Sequence, residues 1–138
     1  LQASGMRLQN YGTVLVTLAD EDKEEGLGLA RRFYEMGFNI EATAGTAAFL
    51  KSRGIRTRVR GKISDGSEEI LDSIRAGYVS YVINTRSVRA GAHQEDGAAI
   101  RRCAVENGVN VFTSLDTVRV LLDVLEETTM SVSAIDER

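Results

Sequence analysis

The chain has 138 residues, with 17 basic and 20 acidic side chains and a net charge of −3. That length fits one domain with a single core, and the missing basic excess argues against a bulk nucleic-acid binder. One cysteine, Cys103, and one histidine, His93, exclude an internal disulfide and a structural zinc site of four nitrogen and sulfur ligands.

No apolar run is long enough to span a membrane, and no signal-peptide pattern opens the sequence, so the expectation is a cytoplasmic, reducing setting. Residues 1–10 have little of their own to pack against and read as the tail of a preceding segment plus a linker, with the domain proper over 11–138. Thr13 to Leu18 is a continuous apolar, β-branched run, as expected of a strand covered on both faces. Asp20 to Asp22 should cap the first helix, with Asp22 and Glu25 spaced as a capping box. Leu29, Ala30, Phe33 and Met36 recur at helical spacing up to Gly37. Phe38 to Ala42 predicts a second strand, Thr43 to Thr46 a turn, and Ala47 to Ser52 a short helix closed by Gly54. Ile55 to Val59 predicts a weak third strand with alternating arginines.

Asp65, Gly66 and Ser67 suit a turn and cap before a helix carrying Ile70, Leu71 and Ile74, stopped at Gly77. Tyr78 to Ile83 is the second strong strand, and Asn84 to Gly97 a long polar loop. Ala99, Ile100, Cys103 and Ala104 mark a helix ended by Asn107 and Gly108, which makes Cys103 a core residue. Val109 to Phe112 predicts the fifth strand, and Ser114 caps a last helix with Val118, Leu121, Leu122 and Leu125 on one stripe. The helical pattern fades past Glu127. Five strands alternating with helices predict a three-layer α/β/α sandwich around a five-stranded parallel sheet, Rossmann-like in its right-handed crossovers.

In such sheets ligands gather at the carboxyl ends of the strands, where loops begin at Asp20, Thr43, Asn84 and Thr113. Thr43, Gly45 and Thr46 offer hydroxyls, a close backbone approach and the amides of a helix start, which suits a phosphate; the same residues also make an ordinary capped turn. Lys23 near the first helix start opposes the helix dipole, an arrangement that a nearby anion relieves. Asn84, Thr85 and Arg86 leave the strong strand as a polar group. Lys51, Arg53, Arg56, Arg58, Arg60 and Lys62 form a basic run. Its alternating members share one face, which either meets an anion or blunts an edge strand, and Lys62 is the member placed to turn inward. His93 and Asp96 are spaced to share a proton, or are plain loop residues.

Several motifs together resemble the methylglyoxal-synthase-like (MGS-like) domain over 12–127. They are Asp22-Lys23, Gly37-Phe38, Ala42 to Thr46 with Gly45, Gly61-Lys62, Val82 to Thr85, Asp96 to Arg102, and Thr113 to Thr117. More narrowly, the chain resembles the C-terminal allosteric domain of the carbamoyl-phosphate synthase large subunit. That resemblance implies a non-catalytic regulatory unit of an ATP-dependent, glutamine-hydrolysing ligase. Its expected ligand is a phosphorylated effector: uridine monophosphate (UMP), inosine monophosphate (IMP) or phosphoribosyl pyrophosphate (PRPP). The implied phosphate residues are Lys23, Thr43, Gly45, Thr46, Lys62, Asn84, Thr85 and, as a departure from relatives with a second threonine, Arg86. The implied partners are the catalytic domains of the same chain and a glutaminase small subunit, with no nucleic acid or membrane. No cofactor or metal is expected in this domain, since ATP with magnesium or manganese would belong to the parent enzyme.

The alternative within the family is methylglyoxal synthase, acting on dihydroxyacetone phosphate through a carboxylate base and histidines. By resemblance the base position holds Ser67, the first-strand histidine position holds Asp20, and only His93 with Asp96 match the later pair. Val111 stands where ornithine-responsive relatives carry tyrosine, which leans toward pyrimidine over arginine synthesis.

Overall fold

The computed structural model describes residues 9, 11–61, 63, 66–85 and 94–136, with the backbone alone for 94–96 and 129–136. Five strands form one parallel sheet: β1 Thr13–Thr17, β2 Asn39–Thr43, β3 Thr57–Arg60, β4 Val79–Asn84 and β5 Asn110–Phe112, in the order β3-β2-β1-β4-β5. Five helices alternate with them: α1 Lys23–Glu35, α2 Ala44–Ser52, α3 Glu69–Arg75, α4 Gln94–Glu106 and α5 Leu115–Asp136.

The strands alternate their side chains between two cores. Val14, Val16, Ile40, Ala42, Tyr81, Ile83 and Phe112 face Leu29, Phe33, Leu50, Val118 and Leu122 of α1, α2 and α5. Leu15, Val79 and Val82 face Ile70, Ile74, Ile100 and Cys103 of α3 and α4. Both faces of β1 and β4 are therefore covered, which is why these two strands read as unbroken apolar runs. Phe33, Phe38, Tyr81 and Phe112 form an aromatic chain inside the first core, with Phe33 and Phe38 edge-to-face at 5.2 Å between centroids. The Tyr81 hydroxyl escapes that apolar setting by donating to the Gln9 carbonyl at 2.8 Å, and burial raises its pKa. Apart from Gln9, the expected linker over 1–10 lies outside the described residues.

The sheet and the order of elements follow the sequence expectation, but several boundaries differ. The predicted turn at Thr43 to Thr46 is absent. β2 runs straight into α2, with Thr43 extended (φ −69°, ψ 163°) and Ala44 already helical. The expected capping box at Asp22 does not form: Asp20–Asp22 is a 3-10 turn, and Asp22 makes no side-chain cap bond. α4 begins at Gln94, inside the predicted loop, and the α5 backbone stays helical to Asp136 although the apolar stripe ends earlier. Ser114 does cap α5, its Oγ accepting the Asp116 amide at 3.2 Å, and Cys103 is buried as expected. Gly37, Gly54, Gly77 and Gly108 all carry positive φ where a helix stops.

Candidate phosphate site

The order of the strands fixes where a ligand fits. After β1 the chain turns to α1 on one face, and after β4 it turns to α4 on the other, so a crevice opens between the two exits. Register places a row of polar side chains at the mouth. Thr17 pairs with Asn84 across β1 and β4, and Thr43 pairs with Arg60 across β2 and β3. Thr17 and Thr43 each follow the Val16–Ala42 pair, so all four share the α3/α4 face.

The loops at this mouth are tied to one another. Thr46 Oγ1 accepts the Leu18 amide at 3.2 Å, and Thr85 Oγ1 accepts the Ala19 amide at 2.8 Å. The Thr85 amide donates to the Thr17 carbonyl at 3.1 Å. Two consecutive amides at the β1 exit are thus held by hydroxyls from two other strands' exits. Each threonine acts there as an acceptor and keeps its own O–H to donate.

Asn84 is 6% exposed. Its Oδ1 accepts from Thr17 Oγ1 at 2.5 Å, while Nδ2 is buried with no partner among the described residues. A stranded buried donor costs about 1–3 kcal/mol, so it marks a place for an acceptor. The α2 N-terminus adds further donors, because Thr43 makes no side-chain bond to the first-turn amides. Gly45 bares that turn: among the described residues only Lys23 Nζ comes near the position of an added Cβ, at 3.9 Å. Lys23 reaches across from α1 and pairs with Asp20 at 2.9 Å. One ammonium, one helix start, one amide donor and two hydroxyls converge on the same crevice, which is the chemistry of a phosphomonoester cradle.

Of the residues expected here, the structure gathers Lys23, Thr43, Gly45, Thr46, Asn84 and Thr85. Lys62, Arg86 and His93, and the side chain of Asp96, lie outside the described residues. Arg60 shares a face with Arg58 as expected, opposite Thr43 and Glu41, and on that face it is drawn to Glu41, which is 3% exposed. Arg60 Nε donates to Glu41 Oε1 at 3.0 Å and its NH2 donates to Oε2 at 3.3 Å. Ser73 Oγ donates to Oε1 at 2.9 Å. The bonds to Glu41 raise the Arg60 pKa. Sequence reading missed Glu41; the signal was a lone acid inside a strand whose neighbouring strand alternates arginines. Next to this cluster the Gly61 amide donates to Glu69 Oε1 at 2.6 Å, which fixes the start of the loop after β3.

Across residues 25–113 the sequence matches the MGS-like domain family. The chain belongs to that family. Solved structures similar to this MGS-like domain include methylglyoxal synthase from Elizabethkingia anophelis NUHP1, at a TM-score of 0.70 and 19% identity, covering 83% of this chain and 79% of that one. ForH is similar at a TM-score of 0.60 and 20% identity, covering 86% of this chain and 81% of its own. At these identities the likeness speaks to the fold. Among the described residues no helix of this MGS-like domain is long and apolar enough to cross a membrane. No group of three or more His, Cys, Asp or Glu among them could hold a metal ion.

Proposed function

We propose that this MGS-like domain is a sensor of a phosphorylated nucleotide, serving as the regulatory domain of the carbamoyl-phosphate synthase large subunit in the cytoplasm. The observation that carries it is the buried Asn84 Nδ2, without a partner among the described residues, near the uncapped start of α2 and Lys23. The effector phosphate docks on the α2 amides at Ala44 to Thr46 and on Lys23, Asn84 and Thr85, with Lys62 and Arg86 as further cations. UMP, IMP and PRPP share that phosphate. Occupancy shifts how the domain meets the catalytic domains and glutaminase subunit of its parent. Such couplings run to about 1–3 kcal/mol and are reciprocal, so the parent's substrates alter effector affinity. ATP and its metal belong to the parent's chemistry, and this domain supplies binding alone.

The second reading is methylglyoxal synthase, favoured by the similarity of fold to one. It needs a base for proton abstraction. The position matched to that base holds Ser67, whose Oγ accepts the Glu69 amide at 3.1 Å just before α3. The position matched to a histidine holds Asp20, which pairs with Lys23. Calorimetric titration with UMP, IMP and PRPP separates the two readings. Heat from one of them, reduced in Lys23→Ala, is expected. No binding at about 1 mM by any of the three rejects the sensor. Turnover of dihydroxyacetone phosphate to methylglyoxal would establish the second reading.

A further inference from the structure

A second surface of interest lies at the opposite end of the strands from the proposed phosphate site. β3 is an edge strand, bonded to β2 alone, so the outward side of its backbone has no strand partner. Along that edge runs an open groove of about 760 Å³, lined by Lys51, Arg56, Arg58, Val59, Tyr34 and Tyr78 among others. Several cations of the fold sit beside acids: Arg32, Arg53, Arg60, Arg75 and Arg119 each contact a carboxylate. Lys51, Arg56 and Arg58 contact none among the described residues. The one carboxylate lining the groove, Glu41, is already neutralised by Arg60. The groove is therefore a local positive patch on a chain whose net charge is −3.

Edge strands are commonly blunted by charge, and blunting alone explains one lysine or arginine. It does not explain Val59, which stands 42% exposed between the arginines and on the other face of the strand. A strand added beside β3 would alternate its side chains in the same way. Those on one face meet Arg56 and Arg58, and those on the other meet Val59. We propose that β3 accepts an extended, acidic segment of a partner polypeptide as a sixth strand, with acidic and apolar residues alternating. Main-chain bonding supplies the affinity, and the carboxylates select the partner.

The test uses the full chain and a fluorescein-labelled peptide of alternating Glu and Val, followed by anisotropy and by backbone amide NMR. Binding is expected with hydrogen-exchange protection at Thr57 to Arg60, weakened at least tenfold in the double variant Arg56→Glu, Arg58→Glu. The same peptide N-methylated along its pairing edge keeps its charges, and it should lose at least tenfold on the unaltered protein. That arm stands even where the double variant fails to fold. No binding up to about 1 mM overturns the proposal. Equal binding of the N-methylated peptide, or displacement by tripolyphosphate with no amide protection, overturns it in favour of a small-anion site. Protection of the same amides through dimerisation of the chain, without peptide binding, overturns it in favour of self-association.

Discussion

Gly45→Ala should separate folding from binding, because the two respond to the same methyl group with opposite sign. Gly45 is the second residue of α2, and its φ is an ordinary negative one. A Cβ there meets only Lys23 Nζ, at 3.9 Å, which is normal contact. The folded state therefore takes alanine without strain. Alanine is favoured over glycine in helices by about 0.5–1 kcal/mol, chiefly through the entropy of the unfolded chain. Near a helix start the lower figure applies, giving a rise in Tm of about 1–4 °C for a domain of this size. The ligand experiences the reverse. The methyl group occupies the opening between Lys23 and the first-turn amides, where the proposed phosphate docks. Displacement forfeits at least one hydrogen bond to a charged group, worth about 1.5–3 kcal/mol, so affinity should fall about tenfold to a hundredfold. Thermal unfolding followed by circular dichroism reads the first effect, and calorimetry with the effector that binds the unaltered protein reads the second. A variant that is more stable and binds equally well refutes the cradle. A destabilised variant refutes the account of open space at Gly45.

Glu41→Ala removes three hydrogen bonds and leaves Ser73 and Arg60 to find others; since the Arg60 side chain is 20% exposed and can turn to water, the cost should be about 2–4 kcal/mol in urea unfolding. A double-mutant cycle with Arg60→Ala should show coupling of about 1 kcal/mol or more, and strict additivity would count against the pair. Gly12→Ala should destabilise by about 1–3 kcal/mol, because Gly12 has φ +113° and its Cβ would meet the Ser80 hydroxyl that donates to the Tyr11 carbonyl; unchanged stability would contradict that geometry. Glu126 accepts both the Nε and NH2 of Arg32, and those bonds hold its pKa below the usual carboxylate value. The folded form thus binds this proton more weakly than the unfolded chain. Its stabilisation is complete above the unfolded pKa and is lost as pH falls through the depressed folded value. The pair is partly exposed, so Glu126→Gln should cost under about 1 kcal/mol at neutral pH and nothing in strong acid. A pH-independent difference in unfolding free energy would be the contrary result.

The parts legible in the sequence are those that local pattern decides. β1 and β4 announce themselves because both faces are covered, and the helix ends at Gly37, Gly54, Gly77 and Gly108 because each needs a left-handed residue. The placing of Thr43, Gly45, Thr46, Asn84 and Thr85 at the carboxyl end of the sheet was legible because they end or follow strands. What local pattern hides is set by partners far away in the chain. α2 starts three residues early while its Thr46 hydroxyl holds the Leu18 amide, 28 residues back. Glu41 looked like a stray acid because Arg60 and Ser73 lie 19 and 32 residues on. The capping box at Asp22 was the reverse case, a correct local spacing overridden by a 3-10 turn.

The paired amides of Leu18 and Ala19 have one more consequence. Thr46 holds the first and Thr85 the second, so the exits of β2 and β4 are fastened to a single dipeptide. The two walls of the crevice then share their degrees of freedom. A ligand gripping either wall finds the other already in position and surrenders little motional entropy in binding both. The same fastening makes the wall positions correlated, so a tilt of the β1 exit carries Thr46 and Thr85 with it.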